Sequence, residues 1–287
     1  MKILILDGQG KTGHVVSKFL IQNSIQVDSV SKEKIVESLN CNSNSPFSFL
    51  DDLVSDNHYD FVLNLIRVIN EDAEKNKLEA IMINSYLPHF LEKITESMAT
   101  RVIQLSTDCV FSGNNGPYSE NSVKDGTSFY AITKSVGELN NKKDLTIRTS
   151  IIGPDYDRDG SRLFNWFMMN SGEMEGYSNV YWNGVTSIEF SKILVRILNT
   201  DIFGLIHIGS EKINKYELLT MFNKHFKNSK KLIKKNELVF NNKVLLCENT
   251  DERISISSYE QMMIEMKNWI LANSEIYKHY LLEGEIK

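Results

Sequence analysis

The sequence predicts an α/β protein: a doubly wound parallel sheet of Rossmann type followed by a smaller C-terminal α/β substrate lobe. Three observations carry that expectation. Apolar runs of strand length alternate with segments of helical period through the first half of the chain. Glycines cluster at the turn between the first run and the first helix. Phe61-Val62-Leu63 and Val102-Ile103 are continuously apolar, as strands covered on both faces must be.

Residues 2–6 form the first expected strand, residues 12–22 a helix and residues 25–30 a second strand, which together open a βαβ unit. Residues 61–66, 101–105 and 145–147 are β-rich, and residues 73–94 and 130–139 between them have helical period. Beyond Gly153 the alternation fades into a Gly- and Asn-rich stretch and then short elements such as a helix over 215–226. A dinucleotide-binding domain is therefore expected over residues 1–152, with residues 153–287 mainly a substrate-binding lobe and segments crossing between the two. Near the end, Met262, Met263, Met266, Trp269 and Ile270 recur at helical spacing and predict a packed helix.

Composition excludes several classes. With 41% hydrophobic residues, 4 prolines and 15 glycines in 287 residues, the chain has the make-up of an ordinary folded protein. A net charge of −5 argues against nucleic acid as a partner. The basic run Lys227, Lys230, Lys231, Lys234 and Lys235 reads as a solvated face rather than a binding patch. Ile3 to Leu6 is too short for a signal-peptide core, and no run is long enough to span a bilayer, so a cytoplasmic protein without a membrane partner is expected. Cys41, Cys109 and Cys247 are odd in number and widely spaced, which fits neither a disulfide framework nor a metal site.

The chemistry lies in two places. Gly8-Gln9-Gly10-Lys11-Thr12-Gly13 joins the first strand to the first helix, where small residues let the backbone approach a pyrophosphate at a helix N-terminus. At the end of the second strand, Ser31 and Lys32 offer a hydroxyl and a cation where an NAD site usually has an acid, which favours NADPH. Asp28 keeps NADH open, although a mid-strand carboxylate cannot reach the ribose. Further on, Tyr130 and Lys134 are four apart and share a helix face, so the ammonium can act on the phenol. The spacing alone is weak, because 11 tyrosines and 25 lysines predict roughly one such pair by chance. Position strengthens it. Ser106-Thr107-Asp108 follows a strand, so Thr107 can hydrogen-bond a carbonyl oxygen that Tyr130 protonates while a nicotinamide gives hydride.

The stretch 106–113, with Pro117-Tyr118-Ser119-Glu120, Tyr130-Ala131-Ile132-Thr133-Lys134 and Gly137-Glu138, resembles the dTDP-4-dehydrorhamnose reductase family of extended short-chain dehydrogenases. The resemblance covers most of the chain and is strongest to about residue 150. It implies NADPH- or NADH-dependent reduction of the 4-keto group of a nucleotide-linked 6-deoxyhexose for surface polysaccharide synthesis. Thr107, Tyr130 and Lys134 fall on its catalytic positions, Gly10 and Gly13 on its glycine fingerprint, and Asn64 and Asn84 on asparagines near the cofactor and the sheet edge. We place Asp108, Val110, Arg148 and Trp182 on the substrate side and expect no metal; a homodimer is compatible with this reading.

Departures from the family pattern are specific. Asp7 stands where the first fingerprint glycine is usual, Ala131 follows the tyrosine in place of a glycine, and Ile151-Ile152-Gly153 replaces a usual tryptophan. The segments 182–187 and 258–262 resemble a branch found with amino-deoxysugar pathways, which implies a UDP-linked 2-acetamido-2,6-dideoxy-4-hexulose as the alternative substrate. Two other classes remain: an epimerase or dehydratase recycling NAD, disfavoured by Cys109 after Asp108, and a dinucleotide-binding regulator without turnover, disfavoured by retention of Tyr130 and Lys134.

Overall fold

In strand β1 (Lys2–Leu6), Ile3 and Ile5 join one apolar cluster while Leu4 and Leu6 join another, so both faces of the strand are covered. The same division runs through β3 (Phe61–Asn64) and β4 (Arg101–Thr107), where Leu63 and Ile103 face the first cluster and Val62 and Val102 the second. These strands, with β2 (Gln26–Val30), β5 (Leu145–Thr149) and the strand Gly204–His207, form a six-stranded parallel sheet in the order β2-β1-β3-β4-β5-Gly204–His207. Because β1 is flanked by β2 and β3, successive connections leave it in opposite directions, and the crevice at the carboxyl ends of β1 and β3 is where this architecture binds ligands. This computed structural model describes residues 1–39, 46–226, 231–249, 251 and 253–280. Cys41, Lys227 and Lys230 lie outside them.

Several elements differ from expectation. The helix expected over 73–94 is interrupted into Asn70–Lys75, Lys77–Ala80, a π-helical stretch Ile81–Tyr86 and Leu87–Ile94. Asn84, inside the π stretch, is turned inward: its Oδ1 accepts from the Val68 amide at 2.9 Å, and its Nδ2 donates to the Val68 carbonyl at 2.8 Å and to the Thr133 hydroxyl at 3.1 Å. A widened turn is what lets a helix present such a side chain to the strand end. Strand β4 runs two residues further than the apolar pattern indicated, so that Thr107 is its last residue.

The chain crosses residue 152 in both senses. Gly204–His207 pairs with β5 and closes an edge that would otherwise be exposed. The helix Ser187–Ile197 packs against α1 (Gly13–Gln22) on the sheet, and one apolar cluster runs from Ile3 to Met262 and Trp269 of the helix Tyr259–Ala272. The remaining part holds a three-stranded sheet (Ile213–Asn214, Val180–Trp182, Asn241–Asn242) and a pair formed by Glu173–Tyr177 and Leu232–Asn236. The described lysines of the basic run are engaged: Lys234 pairs with Glu173 at 2.6 Å, Lys235 with Glu237 at 2.5 Å, and Lys231 donates to the carbonyls of Phe167 and Asn170. Among the described residues, no helix is long and apolar enough to cross a membrane.

Candidate active site

Two helix caps and one strand end bring the expected catalytic residues together. The Thr107 hydroxyl accepts from the Cys109 amide at 3.1 Å and donates to Asp108 Oδ1 at 3.2 Å, which starts the 3-10 turn Asp108–Val110 at the end of β4. Ser128 caps the helix Phe129–Val136 by accepting from the Ala131 amide at 3.1 Å. That cap places Tyr130 in the first turn and Lys134 one turn later on the same face. Lys134 Nζ donates to the Leu105 carbonyl at 2.7 Å and ties the helix to β4, while the Thr107 hydroxyl interacts with the Tyr130 phenol. All three side chains are buried.

Burial sets their electrostatics. It pushes the Tyr130 phenol up to about 12, with the Arg67 cation opposing, so the phenol stays protonated through the neutral range. Burial, reinforced by Arg67, pushes the Lys134 ammonium down to about 7. Asp108 is also buried and raised by desolvation, with Lys243 and Lys215 opposing. Thr107, Asp108, Tyr130, Arg67, Arg162 and Lys215 line a cavity of about 240 Å³. Small-molecule pockets span roughly 300–1,000 Å³, so this one suits a reacting ring, and the rest of a dinucleotide would lie along the glycine loop.

In that loop, a Cβ on Gly13 would sit 1.9 Å from the Asp7 carbonyl oxygen, and one on Gly10 would sit 2.2 Å from the Asp7 carboxyl. The glycines therefore make room for Asp7, which adopts a left-handed φ of 65° in place of a glycine. Burial pushes the Asp7 carboxyl up to about 6, against Arg67, Lys32 and Arg162. Thr12 stands at the N-cap of α1 without capping it. Its hydroxyl accepts instead from Arg67 Nη2 at 3.2 Å and Arg162 Nη1 at 3.1 Å. A helix N-terminus without an acidic first turn, flanked by two guanidiniums, is a donor set that fits a diphosphate.

Residues 1–234 match the family described as the RmlD substrate binding domain. The chain belongs to that family. It is the family of the dTDP-4-dehydrorhamnose reductases, extended short-chain dehydrogenases that use NAD(P). Among curated proteins the chain is similar to the beta subunit of methionine adenosyltransferase 2 of Xenopus tropicalis, 27% identical over 153 residues, which are 48% of this chain and 46% of that protein. The match thus spans about half the length of that relative. Solved structures share the fold. A dTDP-4-dehydrorhamnose reductase from Clostridium acetobutylicum superposes with a TM-score of 0.76 at 18% identity, covering 94% of this chain and 99% of its own. One from Bacillus anthracis, in complex with NADP, gives 0.78 at 16% identity, covering 93% and 99%.

Against the RmlD-type pattern, the remaining expected site residues divide. Asp108 lines the cavity. Ser31 and Lys32 lie at the end of β2, where the Ser31 hydroxyl caps the following helix by accepting from the Lys34 amide at 3.3 Å and Lys32 pairs with Glu79 at 3.8 Å. Asp28 is mid-strand, held by Lys2 at 3.2 Å and the Tyr59 hydroxyl at 2.8 Å. Lys11 turns to the buried Asp155 at 3.1 Å, and Gly8 packs on the Ser29 side chain.

Four residues are not brought to the cavity. Arg148 is buried in β5 with its guanidinium on Glu138 at 2.7 Å and on the Glu120 carbonyl at 3.1 Å, which corrects its expected place at the substrate. Val110 is packed with Phe111, Tyr118 and Leu245, and Trp182 is stacked on Tyr259 with ring centres 6.0 Å apart. Asn64 is sealed at the end of β3, donating to Gln104 Oε1 at 2.7 Å.

The sequence reading missed three cations: Arg67, Arg162 and Lys215. Arg67 carries a legible signal, a lone charge inside the apolar run Leu65-Ile66-Arg67-Val68-Ile69 just past a strand end. Lys215 follows the capping residue Asn214 at the start of its helix and lies 4.5 Å over the Trp182 ring. Burial pushes it down to about 8, with Asp108 opposing.

Proposed function

We propose that this protein is an NAD(P)H-dependent reductase of the 4-keto group of a nucleotide-linked 6-deoxyhexose, in surface polysaccharide synthesis. The observation that carries the reading is the meeting of Thr107, Tyr130 and Lys134 at the end of β4 beside a ring-sized cavity. The dinucleotide, when bound along the glycine loop, supplies hydride to the carbonyl carbon. Thr107 and Tyr130 hold the carbonyl oxygen by hydrogen bonds, and Tyr130 gives that oxygen its proton as charge develops there. Lys134 orients the cofactor ribose and favours the phenolate that forms. Asp108 and Lys215, which line the same cavity, contact the sugar. Ser31 and Lys32 support NADPH over NADH, and the sugar is either a dTDP-4-dehydrorhamnose or a UDP-2-acetamido-2,6-dideoxy-4-hexulose type.

The test is loss of absorbance at 340 nm with NADPH, then NADH, against dTDP- and UDP-linked 4-keto-6-deoxysugars generated in situ. Tyr130→Phe should lower kcat by roughly 10²–10⁴ while leaving dinucleotide affinity near that of the wild type. Retained activity in that variant rules out the mechanism. A second reading, a dinucleotide-binding partner subunit without turnover, is favoured by one observation: the curated relative is itself named as a beta subunit. NADPH binding with no oxidation across the whole panel would select it.

A further inference from the structure

Arg67 and Arg162 both donate to one hydroxyl, that of Thr12, and among the described residues neither has a carboxylate within salt-bridge distance. Arg67 extends from just past β3 and also donates to the Leu65 carbonyl at 3.1 Å. Arg162 comes from the far side of the cleft, next to the helix Leu163–Met169. Two half-buried guanidiniums around one neutral oxygen repel each other, and the protein's acids, Asp155 and Asp7, favour the Arg162 charge through space without pairing with either arginine. The mutual effect is visible in Arg162, which burial and then Arg67 push down to about 10. Asp7, whose carboxyl is attracted to both arginines, fills the space beside Gly10 and sits in the loop itself.

We infer that Arg67 and Arg162 form a clamp for a diphosphate group, closing over the N-terminus of α1 with Thr12 as its hinge point. Guanidiniums bind phosphate oxygens in pairs of parallel hydrogen bonds, which a shared hydroxyl cannot supply. A diphosphate entering at Thr12 takes over both arginines and offsets the repulsion between them. The clamp also answers the departure at Asp7: a carboxyl in the glycine loop disfavours an anion there, and two cations restore the balance. Diphosphates occur in both a dinucleotide and a nucleotide sugar. Thr12 belongs to the glycine loop, so the clamp is assigned to the dinucleotide, an assignment that rests on the reductase reading above.

The experiment is equilibrium titration of the full chain with NADPH, followed by nicotinamide fluorescence, and separately with UDP and dTDP by calorimetry. Wild type, Arg67→Met, Arg162→Met and Asp7→Asn are compared, with melting temperature as the check on folding. Charge-assisted hydrogen bonds contribute enough that each arginine variant should raise the NADPH Kd about tenfold to a hundredfold and reduce its dependence on salt. Affinity for UDP and dTDP should be unchanged. Asp7→Asn should shift the NADPH Kd in the opposite direction, a sign that a merely structural role for the loop would not produce. Unchanged NADPH affinity in both arginine variants overturns the clamp. A loss confined to UDP or dTDP overturns its assignment to the dinucleotide. If the folded wild type binds no NADPH, the reductase reading fails first, and titration with inorganic pyrophosphate then decides the clamp: binding lost in both arginine variants keeps it, and binding that is absent or unchanged ends it.

Discussion

Two arginine sites, one buried and one half-buried, lie near the ends of strands on either side of β4 and have opposite surroundings. Arg148 in β5 is matched: Glu138 takes two of its nitrogens at 2.7 and 2.8 Å, the Glu120 carbonyl a third at 3.1 Å, and the Phe111 ring lies 5.2 Å from the guanidinium carbon. Arg67, past β3, meets a neutral hydroxyl, a carbonyl and a second arginine. Both stand in apolar sequence near a strand's carboxyl end, where this fold places ligands. What separates them is the counter-ion. A matched buried charge holds the fold together, and an unmatched one is held for something that arrives later.

The comparison is tested most severely by stability. Arg148→Met strips the buried Glu138 carboxylate of its two-pronged partner and leaves it only Ser106 and the half-exposed Lys124, and should cost about 3 kcal/mol in urea unfolding without ligand. Arg67→Met removes one of two repelling cations and should change stability by less than about 1 kcal/mol. Equal losses would erase the distinction between the sites. Glu138 adds a pH signature. Burial alone would raise its carboxyl, but Arg148, Ser106 and Lys124 outweigh that and hold it below the usual range. A depressed folded pKa gives stability that is complete above the unfolded value of 4.5 and is lost as pH falls through the folded value. Acid unfolding profiles should therefore lose their steepest part below that value in Glu138→Gln.

Much of the fold was legible because its signals are local. The continuous apolar runs, the glycine turn and the Tyr130–Lys134 spacing each lie within a few residues, and β1 to β5 lie close to where the pattern put them. The contribution of Gly204–His207 was harder to see, since four residues in a short run do not announce a sixth strand paired to β5. Site residues divided along the same line. Thr107, Tyr130 and Lys134 follow from where one strand ends and one helix begins. Arg148 looked available because its partners, Glu138, Glu120 and His207, come from three other segments. Arg162 carries no local mark at all, because what defines it is its approach to Thr12, 150 residues earlier.

Lys134 extends the comparison to ligand binding. With its free-state value near 7, because of burial and then Arg67, the amine is largely neutral above that pH. The unfolded chain then holds more protons than the folded one, so ligand-free stability should rise with pH between about 7 and the ordinary lysine value of 10.5. An anionic dinucleotide accepting from this amine favours its charged form, so binding takes up a proton in that window. The NADPH Kd should weaken above pH 7 by up to about tenfold per unit. Calorimetry in two buffers of different ionisation heat measures the uptake directly. Lys134→Gln should abolish it, and Arg67→Met should move its onset to higher pH by removing the neighbouring cation. An onset unchanged in Arg67→Met would show that the two groups are not electrostatically linked.

The smallest expected effect concerns Lys215, a cation between these extremes. It lies over Trp182, with its charge opposed by burial and favoured by Asp108, and lines the cavity together with the two arginines. If Lys215 meets the sugar, Lys215→Met should raise KM for the nucleotide sugar about fivefold to tenfold, the loss of one hydrogen bond to a charged group, and leave kcat and NADPH affinity near wild type. The opposite split, kcat falling at constant KM, would place Lys215 with Tyr130 in the chemical step. A loss of NADPH affinity would join it to the arginine clamp. Each outcome assigns the third unanticipated cation to a different ligand of the same cavity, which Arg67, Arg162, Tyr130 and Lys215 all line.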